Sequence, residues 1–166
     1  LDWLSWKYRV LFCVSAGNFD GDIDIGISHS EFSILSDEQK ITCVLKCIEQ
    51  QLSERRLLSP AESLNSLTIG ALHADESGDY TPGQRIDLFP NNELFSPISR
   101  FGHGFRRSVK PEILFPGGRQ LYKTPYLDNR QIYPIDAGLR VPGQQVAWDS
   151  AQEGELSQKV YTRGTS

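Results

Sequence analysis

The chain has 166 residues, 39% hydrophobic and 23% charged, which is enough apolar material for one buried core and too much for a disordered tail. Its net charge of -4, with acids and bases interspersed, argues against a basic nucleic-acid-binding block, and there is no long apolar run to suggest a membrane span. The cysteines, Cys13, Cys43 and Cys47, are odd in number, which speaks against a disulfide framework and for a reducing, cytoplasmic setting. Methionine is absent even from position 1, and the last residue is a serine directly after Gly-Thr. Both features suggest a piece of a longer protein, in which a signal peptide would be hidden from view.

"WKYRVLFCVSAGN" leads the predicted elements. Val10 to Val14 are all apolar, as in a strand covered on both faces, and small residues and Asn18 follow. The preceding "LDWLSW" reads as the end of a helix. The clearest helix is "SDEQKITCVLKCIEQQLSERR". Ser36 and Gln39 form a capping box, acids occupy the first turn, and Arg55 and Arg56 occupy the last. Its apolar stripe is Ile41, Val44, Leu45, Ile48 and Leu52, with Cys43 and Cys47 off it. Leu67 to Leu72 reads as a second buried strand closed by a turn at His73. A glycine-rich loop, a short strand at Glu112 to Phe115 and a Pro-Gly turn come next. Residues 118–143 show no clean period and read as irregular loop with at most one short strand. "QQVAWDSA" and "QKVYTRGTS" supply two further strands. Strand, helix and strand in alternation indicate an α/β class with a parallel sheet, over 1–166 with no internal boundary. In such sheets sites form beyond the carboxyl ends of strands, where Asn18 and Ser166 would both lie.

Four segments, in order, carry a resemblance. "VSAGN" is similar to a strand end bearing an oxyanion asparagine. "SPAESLNSLTIGALHAD" is similar to a stretch passing through a cis-proline, here Pro60, into a core strand. "SPISRFGHGFRRSVKPEILFPGG" is similar to a Ser-Ser-x-Gly-Pro loop followed by Lys-Pro-acid-Ile-x-Ala-Pro-Gly. "RGTS" is similar to the Gly-Thr-Ser that carries a nucleophile. Together they resemble the second half of a subtilisin-like serine peptidase (subtilase) domain, with "KPEILFPGG" the most specific match. Residues 19–58 and 119–163 stand as insertions, closest to those of a bacterial subfamily of large subtilase-like proteins, some linked to phage defence.

The resemblance implies a partial subtilisin-like fold and a serine endopeptidase. Ser166 would be the nucleophile, Asn18 an oxyanion donor, and Ser15, Ala16 and Gly17 a wall of the pocket for the residue before the scissile bond. A serine hydroxyl needs a neighbouring base, and the oxyanion of the tetrahedral intermediate needs donors already aimed at it. The family's aspartate and histidine precede the asparagine and have no match here, so the fragment alone would be inactive. His103 falls in the Ser-Ser-x-Gly-Pro slot and is no candidate base, and His73 reads as a turn residue. The implied partners are a peptide or protein substrate and the remainder of the same domain, with no nucleic acid, membrane, cofactor or metal.

Plainer readings stand beside these. Ser166 is also an ordinary terminal serine, Asn18 an ordinary turn residue, and the whole a degenerate fold that binds peptides or a partner without cleaving them. Asp20, Asp22, Asp24 and Glu31 sit at the first, third, fifth and twelfth places of a calcium-loop pattern, but Ile25 stands where the sharp turn needs glycine, which favours a solvated acidic loop. Cys43 and Cys47 lack further ligands at metal spacing and read as packing residues. No phosphate or dinucleotide motif is present. A fragment of a sheet would expose apolar edges, so poor stability is expected of the chain by itself.

Overall fold

The computed structural model describes residues 1–90, 93–127, 129–149 and 158–165. The predicted first strand is present as β1 (Phe12–Ser15), fed by helix α1 (Asp2–Tyr8). It runs parallel to β3 (Ser66–Leu72), from Phe12 opposite Ser66 to Ser15 opposite Ile69. On the other side of β3 lies β7 (Ile113–Pro116), again parallel, from Ile69 opposite Ile113 to Leu72 opposite Pro116. The order β1-β3-β7 makes this an α/β architecture around a parallel sheet.

The Lys-Pro-Glu motif sets the register of β7 on β3. Lys110 is buried and donates from Nζ to the Ser66 carbonyl at 2.9 Å, while its ion pair with Glu112 closes at 2.5 Å. Glu112 accepts from the Thr68 amide at 2.8 Å and its own amide returns a bond to the Thr68 carbonyl. Burial opposes ionisation of Glu112, yet the Lys110 and Thr68 hydrogen bonds outweigh it and hold the carboxyl below its usual range. The Ser59–Pro60 and Lys110–Pro111 bonds are both cis.

Parallel strands require long crossovers, and here these hold the main core. Between β1 and β3 lie β2 (Ile23–Asp24), α2 (His29–Ser33) and α3 (Asp37–Gln50). Between β3 and β7 lie β4 (Arg85–Asp87), β5 (Gly102–His103), a 3-10 turn (Phe105–Arg107) and β6 (Val109–Lys110). Residues 118–143, expected to be nearly irregular, contain β8 (Leu121–Lys123) and β9 (Ile132–Tyr133). They pair antiparallel with β4 and β2 respectively. Ile23, Phe32, Val44, Ile48, Leu88, Phe89, Tyr122 and Tyr133 interlock as one buried cluster across these elements. A final hairpin, β10 (Gln144–Trp148) with β11 (Gln158–Thr162), leads to the C-terminus.

α3 has the expected Ser36–Gln39 capping box, but it ends at Gln50. Arg55, expected in its last turn, is fully buried instead. It donates to the Gln51 side chain and the Pro97 carbonyl, and it stacks over Phe19 with the guanidinium carbon 4.0 Å from the ring centroid. These tertiary bonds replace the dipole contact the sequence suggested. The buried face is also turned from the expected stripe. Cys47 lies inside with Val44 and Ile48, while Leu45 and Leu52 are exposed. Desolvation accordingly pushes the Cys47 thiol up. Three carboxylates of the acidic run accept hydrogen bonds within the protein. Glu31 completes a capping box with Ser28, Asp24 accepts from the Gly26 amide, and Asp22 accepts from the Ile135 amide.

The sheet is not covered on both faces. Residues paired across a sheet share a face, so Cys13, Ile69, Ile113 and Phe115 lie on one side. Cys13 is exposed there, and Ile113 and Phe115 are 40% and 66% exposed. The opposite side buries Ser66, Thr68 and Gly70. Among the described residues no helix is long and apolar enough to cross a membrane.

Candidate active site

Past the end of β1 the chain turns through Ser15, Ala16 and Gly17 to Asn18. Ala16 is fully buried, and its amide donates to the Ile69 carbonyl, which extends the β1–β3 pairing by one residue. Gly17 has φ +93°, a region that side chains disfavour, and the Leu58 side chain lies against it. A Cβ on Gly17 would sit 2.8 Å from Leu58 Cδ1, so Leu58 takes up space over this wall that the small residues alone would leave open.

The other side of the site arrives from the far end of the chain. β11 stops at Thr162, and Gly164 bonds from its amide to the Gly117 carbonyl at 2.8 Å. Thr165 then meets the β1 turn. Its amide donates to Asn18 Oδ1 at 2.9 Å, and its hydroxyl donates to the same oxygen at 3.1 Å. That hydroxyl oxygen accepts from the Gly17 amide at 3.1 Å and lies 2.6 Å from Ser15 Oγ. With the Thr165 proton used on Asn18, the Ser15 hydroxyl is the donor in that pair. Two donors on one oxygen fix the orientation of the Asn18 amide and direct its NH2 away from Thr165. Gly164 permits this closeness, since a Cβ there would lie 2.6 Å from Asn18 Nδ2. Ser166 lies outside the described residues.

A cavity of about 570 Å³ opens at this junction, lined by Ser15, Ile69, Gly70, Pro116, Gly164 and Thr165 among others. Of the expected wall and oxyanion residues, Ser15 lines this cavity, Gly17 and Asn18 meet Thr165, the residue that precedes Ser166, through the hydrogen bonds above, and Ala16 is buried behind them.

His73 is not the simple turn residue expected. It is 2% exposed, and its Nε2 lies 2.8 Å from Asp87 Oδ1. Its Nδ1 accepts from the Gln120 amide at 3.3 Å, so Nε2 carries the proton and donates to Asp87. Both ring nitrogens are committed inside the protein, and the pair ties β3 to β4 and to the chain entering β8. The proximity in sequence of "LHAD" and "RID" gave no sign of it, because the partner lies across a loop. His103 is exposed on β5. Among the described residues no group of three or more His, Cys, Asp or Glu side chains is arranged to hold a metal ion.

Sequence reasoning also missed the segment that backs Asn18. Phe19 donates from its amide to the Ile98 carbonyl at 2.7 Å, Arg100 donates from its amide to the Gly17 carbonyl at 3.1 Å, and Asn18 faces Ser99 in an antiparallel bridge. Ser99 and Arg100 belong to the glycine-rich loop, whose role is not visible from spacing alone.

A model of the peptidase S8 family, described as the subtilase family, matches residues 3–160. No curated protein and no solved structure matches the chain.

Proposed function

Because the chain belongs to the subtilase family, a family of serine peptidases, we propose that it carries half of a peptide-hydrolysing site, with Ser166 as nucleophile and Asn18 in the oxyanion hole. The observation that supports this most is the pair of bonds from Thr165 to Asn18, two residues far apart in sequence. They hold the residue before Ser166 against the Asn18 amide at the carboxyl end of a parallel strand.

In this reading a base withdraws the Ser166 proton as Oγ attacks the scissile carbonyl. The carbonyl electrons move onto oxygen, where the Asn18 NH2 and the Ser166 amide donate to the growing charge. The base returns its proton to the departing amine, an acyl-enzyme forms, and water completes hydrolysis by the same steps. Ser15, Ala16 and Gly17 flank the residue before the scissile bond. The aspartate and histidine that supply the base come from residues outside 1–166, and the remainder of the domain covers the open sheet face at Cys13, Ile113 and Phe115. The segment 1–166 by itself is then inactive.

A fluorophosphonate probe applied to the full-length protein tests this. Labelling is expected, and Ser166→Ala should abolish it. Asn18→Ala should lower kcat about 10²- to 10³-fold, a size established for the equivalent asparagine of subtilisin itself. Absence of labelling overturns the peptidase reading in favour of a fold that binds without cleaving, and labelling that survives Ser166→Ala overturns Ser166 as the nucleophile.

A further inference from the structure

The amide of an oxyanion asparagine is only as well placed as the backbone that carries it. At Asn18 that backbone is held on both sides by residues 98–100 through the bonds described above. Such main-chain bonds are available to almost any sequence. The Arg100 side chain adds a hold that they cannot. Its Nε donates to the Asn18 carbonyl at 2.7 Å, and its Nη1 donates to the carbonyls of Glu54 at 2.8 Å and Arg56 at 3.0 Å. The guanidinium carbon also lies 5.7 Å from the Phe19 ring centroid, and Arg55 covers the same ring.

One planar cation thus binds three carbonyls at the two ends of the crossover that holds the core. The chain leaves the site at Asn18 and Phe19, passes through β2, α2 and α3, and returns at Glu54 to Arg56. The peptide plane after Asn18 is locked twice, by Arg100 on its oxygen and by Ile98 on its Phe19 amide. With that plane fixed, the Asn18 side chain has only its own two torsions left, and Thr165 settles those. The fork suits arginine. Nε and Nη1 point in set directions from a permanently charged group, whereas a lysine ammonium is a single point on a flexible stem. Arg100 stands in the loop matched to Ser-Ser-x-Gly-Pro, at a place where that pattern has serine.

We infer that Arg100 is a positioning residue for the Asn18 amide, tying the ends of the 19–56 crossover to the oxyanion site. The inference rests on the reading of Asn18 as oxyanion donor. Its action runs through Asn18, so its effect belongs to kcat and disappears when the Asn18 amide is removed.

The test is a double-mutant cycle in the full-length protein with a chromogenic peptide substrate. Arg100→Ala should lower kcat about tenfold or more with KM held within about twofold, and should change kcat less than about threefold in an Asn18→Ala background. Arg100→Lys, which keeps the charge but not the fork, should recover part of the loss. If Arg100→Ala fails to fold, Arg100→Lys serves instead, with an expected fall of about threefold or more at an unchanged melting temperature. An unchanged kcat in the variant that folds, or equal losses with and without the Asn18 amide, overturns the inference while leaving the peptidase reading intact. No effect of Asn18→Ala on kcat, or no fluorophosphonate labelling, overturns both.

Discussion

The two halves of this molecule are held in different ways. The two crossovers, residues 19–58 and 73–112, together with residues 118–143 after β7, contain a dense apolar cluster in which Phe32, Val44, Tyr122 and Tyr133 are each 0% exposed. The β1-β3-β7 sheet, which carries the family motifs, has one face partly open at Cys13, Ile113 and Phe115 and is secured by polar bonds at its edges and ends. Lys110 and Glu112 pin the start of β3, and Thr165 and Asn18 pin the carboxyl end of β1. These segments therefore hold the core, and the parallel sheet of the subtilisin-like α/β fold rests on them. Directional bonds place atoms well, but without burial they stabilise weakly. The sheet end is thus suited to geometry and the crossovers to stability.

The largest expected effect lies in the crossover core. Phe32 packs its ring 5.5 Å from Tyr133 with no exposure, so Phe32→Ala should cost about 3–5 kcal/mol in urea denaturation of the full-length protein. Phe115, 66% exposed, is the control on the sheet. In the isolated segment Phe115→Ala should change stability by less than about 0.5 kcal/mol, as surface changes do. In the full-length protein, where the proposal covers that face, the loss should approach that of a core phenylalanine, about 3 kcal/mol. A small loss in both settings would show that the open face stays open and would break the contrast drawn here.

Much of the sheet was legible in the sequence, and much of the site's support was not. β1, β3, β7 and the α3 cap follow from runs of apolar residues and from a local Ser-x-x-Gln signal, which need no knowledge of distant partners. Lys110 and Glu112 could be matched as a motif, but their bonds to Ser66 and Thr68 depend on which strand is the neighbour. The expected apolar stripe of α3 failed at Cys47 and Leu45, because the tertiary surroundings chose a rotated face. Arg55 looked like a C-terminal dipole partner, yet Pro97 and Phe19, distant in sequence, draw it inside. The Ser28–Glu31 box obeys the same rule that found Ser36–Gln39. Glu31 also fits the last place of a calcium pattern, so one residue supports two local readings. Asn18 was found as a strand-end residue, whereas Arg100 carries no local signal at all.

Gly164 sharpens the contrast at the sheet end. A methyl group there would press on Asn18 Nδ2 at 2.6 Å and on Oδ1 at 3.0 Å, both at the tip of a movable side chain. The fold can yield by rotating Asn18, but the oxyanion donor is then misplaced. Gly164→Ala should cost about 1 kcal/mol or somewhat more in stability, partly from its φ of +155°, while lowering kcat about tenfold or more. A loss of stability with full retention of kcat would mean that Asn18 does not need its present orientation.

The smallest effect concerns pH and the turn after β3. Asp75 has a side chain only 1% exposed, and it accepts from the Arg119 amide at 2.7 Å and the Ser77 amide at 2.9 Å, and from the Ser77 hydroxyl. Arg119 also pairs with it at 3.2 Å. Burial alone would raise its carboxyl, but the Ser77 and Arg119 hydrogen bonds prevail and hold it below the ordinary aspartate range. The sign follows from proton uptake. Above the unfolded value, about pH 3.9, both states are ionised and the full stabilisation is present. As pH falls from there through the lower folded value, the unfolded chain binds the proton first and the stabilisation is lost. Asp75→Asn should therefore lower stability at pH 7 and flatten the fall of urea midpoint between about pH 4 and pH 2. Because this turn joins the sheet to the chain entering β8, an unchanged acid slope in Asp75→Asn would place the acid-sensitive contacts elsewhere. The polar edge, Glu112 with Lys110 first, would then be the region to titrate next.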